Sequence, residues 1–229
     1  MRIIGFGAHP DDIELFFFGM LAAARATGAD IGWVIATDGS KGGEGPADRL
    51  RVIRREEATE AAALLSVTPL FLDRIDGELA ADPAAAKMIE DAILEARPDL
   101  VVTHAPNDYH PDHRALSRLV ADAARFYTPV LYADTLMGVG FEPTHYVDIG
   151  AYQELKHAAL GKHVSQRPQR FIDAADTWNR FRALQCNTEA GGQAEAFRFV
   201  PVYPFGDIRT LLPPPPPVRP LLAKWRGDG

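Results

Sequence analysis

Along most of this chain, short apolar runs alternate with longer segments of helical character. Arg2-Ile3-Ile4-Gly5-Phe6-Gly7 reads as a buried strand, since a short apolar run bounded by turn signals suits a strand covered on both faces. Ile13 to Ala26 is apolar nearly all round, as expected of a helix wedged against a sheet. Ile31 to Thr37 reads as a second strand, and the glycine-rich stretch Asp38 to Pro46 as a flexible loop. Asp48 to Ser66 carries a helical stripe through Leu50, Ile53, Ala61, Leu64 and Leu65. Pro69 to Leu72 is a third strand, and Ala84 to Ala96 a helix closed by Pro98. Asp99 to His104 is a fourth strand, Asp112 to Phe126 a helix, and Pro129 to Ala133 a fifth strand. Tyr146 to Ile149 reads as a sixth strand, with late helices over Ala151 to Lys162 and Ile172 to Leu184. This alternation predicts an α/β fold with a mostly parallel sheet flanked by helices on both faces. In such sheets the functional site lies at the carboxyl ends of the strands.

At roughly 100–200 residues per domain, 229 residues make one sizeable domain. The division expected is a domain over 1–210 followed by a proline-rich tail over 211–229. Pro213 to Pro217 form a stiff, extended segment rather than core. With 24 Lys and Arg against 31 Asp and Glu, the formal charge is −7. No basic stretch offsets it, so general affinity for nucleic acid or anionic lipid is excluded. Cys186 stands alone, which rules out an internal disulfide or a multi-cysteine zinc module. The apolar stretch Leu15 to Ala24 is too short to span a membrane, and Asp11, Asp12 and Glu14 stand where a signal peptide carries basic residues. The expectation is a soluble cytoplasmic protein.

Two constellations carry chemistry. Ala8-His9-Pro10-Asp11-Asp12-Ile13-Glu14 follows the first strand, and Asn107-Asp108-Tyr109-His110-Pro111-Asp112-His113 follows the fourth. Two histidines and one carboxylate with an open position make a catalytic zinc arrangement. His9 and Asp12 are three apart, so a turn at a helix start can aim both at one ion, and His110 and His113 share that spacing. A remaining carboxylate beside the metal could act on water. Asp11 and Asp12 could instead cap a helix, and His110 and His113 could be solvated loop residues. The coincidence of two such clusters at one edge of the sheet weighs against both alternatives. A nucleotide-binding start, Gly5-Phe6-Gly7, is incomplete: Pro10 stands where the third glycine belongs, and two aspartates would repel a pyrophosphate.

The chain resembles the LmbE/PIG-L N-acetylglucosaminyl deacetylases through Ala8-His9-Pro10-Asp11-Asp12 and His110-Pro111-Asp112-His113. Lesser matches are Thr37-Asp38-Gly39 with Gly42-Gly43, Arg54-x-x-Glu57, Asp76-Gly77-Glu78-Leu79, Val147-Asp148-Ile149, His163-x-Ser165-Gln166 and Ala194-Glu195-Ala196-Phe197. They span roughly residues 2–200 and leave the tail outside. The resemblance implies a Rossmann-like three-layer fold and a zinc hydrolase that deacetylates an N-acetylglucosamine-type conjugate through a metal-activated water. It implies His9, Asp12 and His113 as metal ligands and Asp11 as general base. His110 would steady the oxyanion, a role a protonated imidazole serves best. It also favours Arg54 and Asp76 as substrate contacts, with Glu57 holding Arg54, while Tyr109 flanks His110 within reach of substrate. Zinc and ferrous iron both accept such ligands.

Other residues carry weaker signals. Lys41 could meet an acidic aglycone or be merely solvated. His104 could stand behind the ligands or be structural, and Asp112 could hold a ligand imidazole or cap a helix. His163 is expected to pack, as are Trp33, Trp178 and Phe16 to Phe18. The rival functions are another metal-dependent amide or amidine hydrolase, a non-catalytic metal- or sugar-binding protein, and a nucleotide-binding module. A small-molecule amino-sugar conjugate is the expected partner, and homo-oligomerisation stays open.

Overall fold

The computed structural model describes residues 1–189 and 191–219. Its strands are β1 (Arg2–Gly7), β2 (Asp30–Thr37), β3 (Leu70–Arg74), β4 (Leu100–Thr103), β5 (Val130–Ala133), β6 (His145–Asp148) and β7 (Ala194–Phe199). They form one sheet in the order β3-β2-β1-β4-β5-β7-β6. The pairs β1–β2, β2–β3, β1–β4 and β4–β5 are parallel, and β7 runs antiparallel to both β5 and β6. The helices are α1 (Asp12–Phe16), α2 (Phe18–Ala26), α3 (Ala47–Ala63), α4 (Pro83–Ala96), α5 (Pro111–Ala124), α6 (Gln153–Leu160) and α7 (Gln169–Gln185).

Successive strand residues point to opposite faces, and this alternation divides the core in two. Ile3, Ile31, Trp33, Ile35, Val102 and Leu131 pack on one face with α1, α2 and α3. Ile4, Phe6, Val34, Ala36 and Val101 pack on the other with α4 and α5. The strands are apolar on both sides because both sides are covered. From β1 the chain passes to β2 and β3 on one flank, then crosses back to β4 on the other. The carboxyl ends of β1 and β4 therefore flank the point where strand order reverses, and a crevice opens there.

The helix expected over Ile13 to Ala26 is broken. Phe17 leaves helical geometry (φ −153°, ψ 18°) and separates α1 from α2. Its ring is fully buried against β1, where a Cβ on Gly5 would stand 2.7 Å from it. The break frees amides at the start of α2, and Glu195 on β7 accepts from Gly19 (3.0 Å) and Met20 (2.7 Å). Lys156 on α6 completes that carboxylate at 2.6 Å, with both side chains buried. The strand β7 has no counterpart among the elements expected from the sequence. Its alanines and buried glutamate lack the β-branched, alternating signature of a strand.

In the expected tail, Leu211 and Leu212 pack against the first core cluster, and Asn187 donates to the Arg219 carbonyl at 2.6 Å. The remainder of that tail, 220–229, lies outside the described residues. Among the described residues no helix is long and apolar enough to cross a membrane.

Removing one member of a buried ion pair strands the other charge. Glu195→Ala is expected to lower unfolding stability by about 3–5 kcal/mol in urea titration. A loss under about 1 kcal/mol would show that water replaces the carboxylate at α2 and Lys156.

Candidate active site

Two loops build the crevice. After β1, the chain turns at His9-Pro10-Asp11 into α1. Asp11 makes that turn with φ 122° and ψ −19°, a conformation that strains any residue bearing a side chain. After β4, the chain passes His104 and Asp108 to His110, and Pro111 opens α5. Proline suits a first helical position because its missing N–H is needed by no bond there. His110 caps this helix, its Nδ1 accepting from the Asp112 amide at 3.2 Å.

Asp11 makes no side-chain cap on α1, and Asp12 accepts the His9 amide at 2.7 Å, so capping does not account for the pair. His9 Nδ1 lies 3.3 Å from Asp12 Oδ2 and 3.3 Å from His113 Nε2, and His113 Nε2 is 3.3 Å from Asp12 Oδ1. Ligand atoms around a tetrahedral zinc at ~2.0–2.1 Å stand about 3.3–3.4 Å apart. His9 meets one Asp12 oxygen and His113 the other, so the three side chains stand at ligand-like distance from one another. His9, His110 and His113 form a further group able to hold a metal, as do Asp12, His104 and His113. His104 is fully buried, stacked on His113 with centroids 3.8 Å apart, whereas His9, Asp12, His110 and His113 line an open cavity of about 430 Å³.

Carboxylates orient both imidazoles from behind. His113 Nδ1 is 2.9 Å from Asp108 Oδ1, which leaves Nε2 for an ion. His9 Nε2 is 3.2 Å from Asp112 and 3.3 Å from Asp76, which leaves Nδ1. Asp112 also accepts amides of Gly77 (2.7 Å) and Leu79 (3.2 Å). Of its two expected roles, the structure thus displays the hold on an imidazole, while His110 does the capping. The sequence carries no sign of the part played by Asp108.

The buried carboxylates shift the titration of the imidazoles among them. Burial pushes the His113 pKa down, but Asp12 and Asp108 outweigh it and lift it to about 9. Burial is likewise outweighed at His9, which Asp12, Asp112 and Asp76 raise well above the ordinary value. Burial would raise Asp12, yet His113, His104 and His9 hold it well below the carboxylate range. Burial, with the charge of His113, lowers His104 to about 4, so it stays neutral behind Asp12.

The remaining candidates take definite places. Burial raises the Asp11 pKa against the pull of Arg54, whose Nη2 is 3.2 Å from Asp11 Oδ1. Arg54 is buried and also donates to the carbonyls of Pro10 (2.6 Å) and Gly39 (2.9 Å). A Cβ on Gly42 would collide with its Nη1, so the glycine loop closes directly on the guanidinium. Glu57, expected to hold Arg54, instead accepts the Ser165 amide and hydroxyl, both at 2.7 Å. Asp76 lines the cavity and accepts the Lys41 amide at 2.9 Å. Tyr109 is exposed at the rim beside His110, and burial lifts its phenol to about 12.

Burial and the charges of His9 and His113 lower the His110 pKa. Because Nδ1 accepts from Asp112, the proton resides on Nε2. His163 also departs from simple packing: its Nε2 meets Glu14 Oε1 at 2.5 Å, both side chains buried, tying the turn after α6 to α1. Burial opposes that histidine's charge, but Glu14 raises its pKa overall.

Residues 4–124 match the family described as PIG-L, GlcNAc-PI de-N-acetylase. The chain is similar to the diacetylchitobiose deacetylase of Thermococcus kodakarensis, with 30% identity covering 87% of this chain and 83% of that protein. In fold it is similar to the N,N'-diacetylchitobiose deacetylase of Pyrococcus horikoshii, with a TM-score of 0.77, 24% identity, and 92% of this chain and 88% of that chain covered. It is also similar in fold to the 4-carboxy-2-hydroxymuconate hydratase of Pseudomonas putida KT2440, with a TM-score of 0.76, 20% identity, and 90% and 99% covered.

The strain at Asp11 is measurable apart from any activity. At ordinary positions alanine is more stable than glycine. Here Asp11→Gly is expected to be more stable than Asp11→Ala by roughly 1 kcal/mol or more, because only glycine adopts a positive φ freely. The usual order, with alanine ahead in chemical denaturation, would show that the turn relaxes without strain.

Proposed function

The chain belongs to the PIG-L/LmbE family, and we propose that it is a zinc-dependent N-deacetylase acting on an N-acetylglucosamine-type conjugate. The observation that carries this reading is the set of 3.3 Å separations among His9 Nδ1, Asp12 and His113 Nε2, with Asp11 beside them. Similarity to the Thermococcus deacetylase over most of both chains supports the same chemistry. We take the family domain to extend over residues 1–210, beyond the residues 4–124 that match the family.

In this proposal His9, Asp12 and His113 hold the ion. When bound, zinc supplies Lewis acidity toward the acetamide carbonyl and toward water. Asp11 is the general base. Arg54 anchors Asp11 Oδ1, so Oδ2 is the oxygen left to receive a proton from the attacking water. Burial makes that carboxylate a better proton acceptor than an exposed aspartate. His110 donates its Nε2–H to the oxyanion as the tetrahedral centre forms. The Asp112 amide bonded to Nδ1 directs a ring proton to Nε2, the nitrogen facing the reaction. Asp11 Oδ2 then returns its proton to the departing amine, releasing acetate and a free amino sugar. Asp76 and Tyr109 line the cavity on the side where sugar hydroxyls would lie. Arg54 spends its donors on Pro10, Gly39 and Asp11, and serves substrate chiefly by fixing the base and the glycine loop.

The test is amine release from a panel of N-acetylglucosamine conjugates with zinc-loaded protein. Asp11→Asn is expected to lower kcat by about 10²–10⁴-fold while metal analysis still finds the ion. Turnover equal to wild type in that variant removes Asp11 as base. His113→Ala is expected to lose the metal, and full occupancy in it would strike His113 from the ligands.

A further inference from the structure

His104 reaches the candidate ligands from behind, without lining the catalytic cavity. Its place follows from strand register. β1 and β4 run parallel with Gly5 level with Val102, so the residue after β4 comes to stand beside the turn after β1. The His104 ring stacks on His113, 14° from parallel, and stands perpendicular to Phe16 with centroids 5.2 Å apart. Packed against both, the ring holds its two nitrogens at fixed stations. Nε2 lies 3.2 Å from Asp12 Oδ2 and 3.2 Å from the Ala8 amide nitrogen. Nδ1 is buried and meets no partner among the described residues. An imidazole binds a metal in its ring plane, and two stacked planes so nearly parallel do not converge on one ion. His104 therefore does not join His113 as a ligand.

A neutral imidazole has one N–H to place. With the proton on Nδ1, that N–H is buried without an acceptor, and the lone pair on Nε2 faces the Asp12 carboxylate as well as the Ala8 amide. With the proton on Nε2, the Ala8 amide loses its acceptor, but Asp12 Oδ2 gains a donor. Each tautomer leaves one donor unserved. Only the second places a donor on an anion, and such a bond is about twice as strong as one between neutral groups. The two Asp12 oxygens then differ. Oδ2 accepts from the His9 amide at 2.7 Å and from His104, whereas Oδ1 faces His113 Nε2 at 3.3 Å.

We propose that His104 is a positioning residue for Asp12: it donates its Nε2–H to Oδ2, holds that oxygen back, and leaves Oδ1 as the single oxygen offered to the ion. The inference rests on the reading of His9, Asp12 and His113 as metal ligands. A carboxylate bound through one oxygen keeps a coordination position open, the condition that separates a catalytic zinc site from a structural one. Partners behind a ligand change metal affinity or activity by about 10–100-fold.

Three variants separate the donor from the packing. His104→Phe keeps an aromatic ring against His113 but has no donor. His104→Gln carries an amide donor at the reach of Nε2, and His104→Asn carries one that stops at the station of Nδ1. The measurements are the zinc dissociation constant, by competition with a chromophoric chelator, and the visible absorption of the cobalt(II)-loaded protein, which reports the number of ligand atoms. His104→Phe and His104→Asn are expected to bind zinc about 10–100-fold more weakly than wild type, because the ion itself must then order the carboxylate. Both should lose cobalt absorption intensity as Oδ2 joins the ion. His104→Gln should restore both readouts to near wild type. Nitrogen-15 spectra of the zinc-loaded wild type should show His104 as the Nε2–H tautomer. The Nδ1–H tautomer overturns the proposal, as do a loss in His104→Gln equal to that in His104→Phe and readouts that no variant changes. Should His104→Phe fail to fold, the contrast between Gln and Asn decides alone. Donor-dependent zinc binding without amine release from any N-acetylglucosamine conjugate keeps the positioning role and sinks the deacetylase reading. Failure of the wild type to bind zinc overturns the ligand assignment and the proposal with it.

Discussion

Burying His9, Asp12, Asp112 and His113 together at the β1/β4 switch point imposes the constraint that most of the local structure answers. Each ionised group taken from water costs several kcal/mol unless partners replace its solvation. The replacements come from backbone as much as from side chains. The His9 amide serves Asp12, and the amides of Gly77 and Leu79 serve Asp112. The segment after β3 thus closes onto the site through its backbone, with no requirement on its side chains. What stays unbalanced is the sign of the charge. Asp11, Asp12, Asp76, Asp108 and Asp112 crowd one crevice, and the protein meets them with raised histidine pKa values and Arg54. A divalent ion resolves the same imbalance by displacing protons from the two imidazoles.

Arg54 links this electrostatic centre to the surrounding loops. Its guanidinium is held by two carbonyls and the Asp11 carboxylate, and the glycine loop lies so close that a side chain at Gly42 has no room. Asp11, its strained turn and the glycine loop are therefore joined through one guanidinium. The strain at Asp11 is tolerated because the neighbours over-determine it. A relaxed turn would aim the carboxylate away from Arg54 and from the open position beside His9 and His113.

Much of this was legible in the sequence where the signals are local. Apolar runs located six of the strands, β1 to β6, and the edge of the sheet on which chemistry would sit. The clusters at His9 to Asp12 and His110 to His113 marked the crevice because imidazole and carboxylate recur there at turn spacing. What was hidden depends on residues distant in sequence. The break at Phe17 requires Glu195 to cap the freed amides, and nothing near Phe17 announces it. β7 was hidden for the related reason that its glutamate is buried by Lys156 rather than by alternation. Glu57 and Arg54 lie one helical turn apart and look like a pair, yet each has a better partner across a loop. The tautomer of His110 was equally out of reach, since it follows from a helix cap.

Net charge illustrates the same limit from another side. An overall excess of acid argues against wide cationic surfaces, because those need many unpaired bases. It says little about a single crevice, where the sign is set by which charges lack partners. In the inner cavity Asp11, Asp12 and Asp76 face Arg54 and the imidazoles of His9 and His113, whose pKa values neighbouring carboxylates raise. Glu78 pairs with Lys41 beside the inner cavity and Glu44 with Arg167 beside the adjoining one, while among the described residues Arg49 and Arg170 meet no carboxylate. Which charges go unpaired is a property of pairing in three dimensions, which composition does not encode.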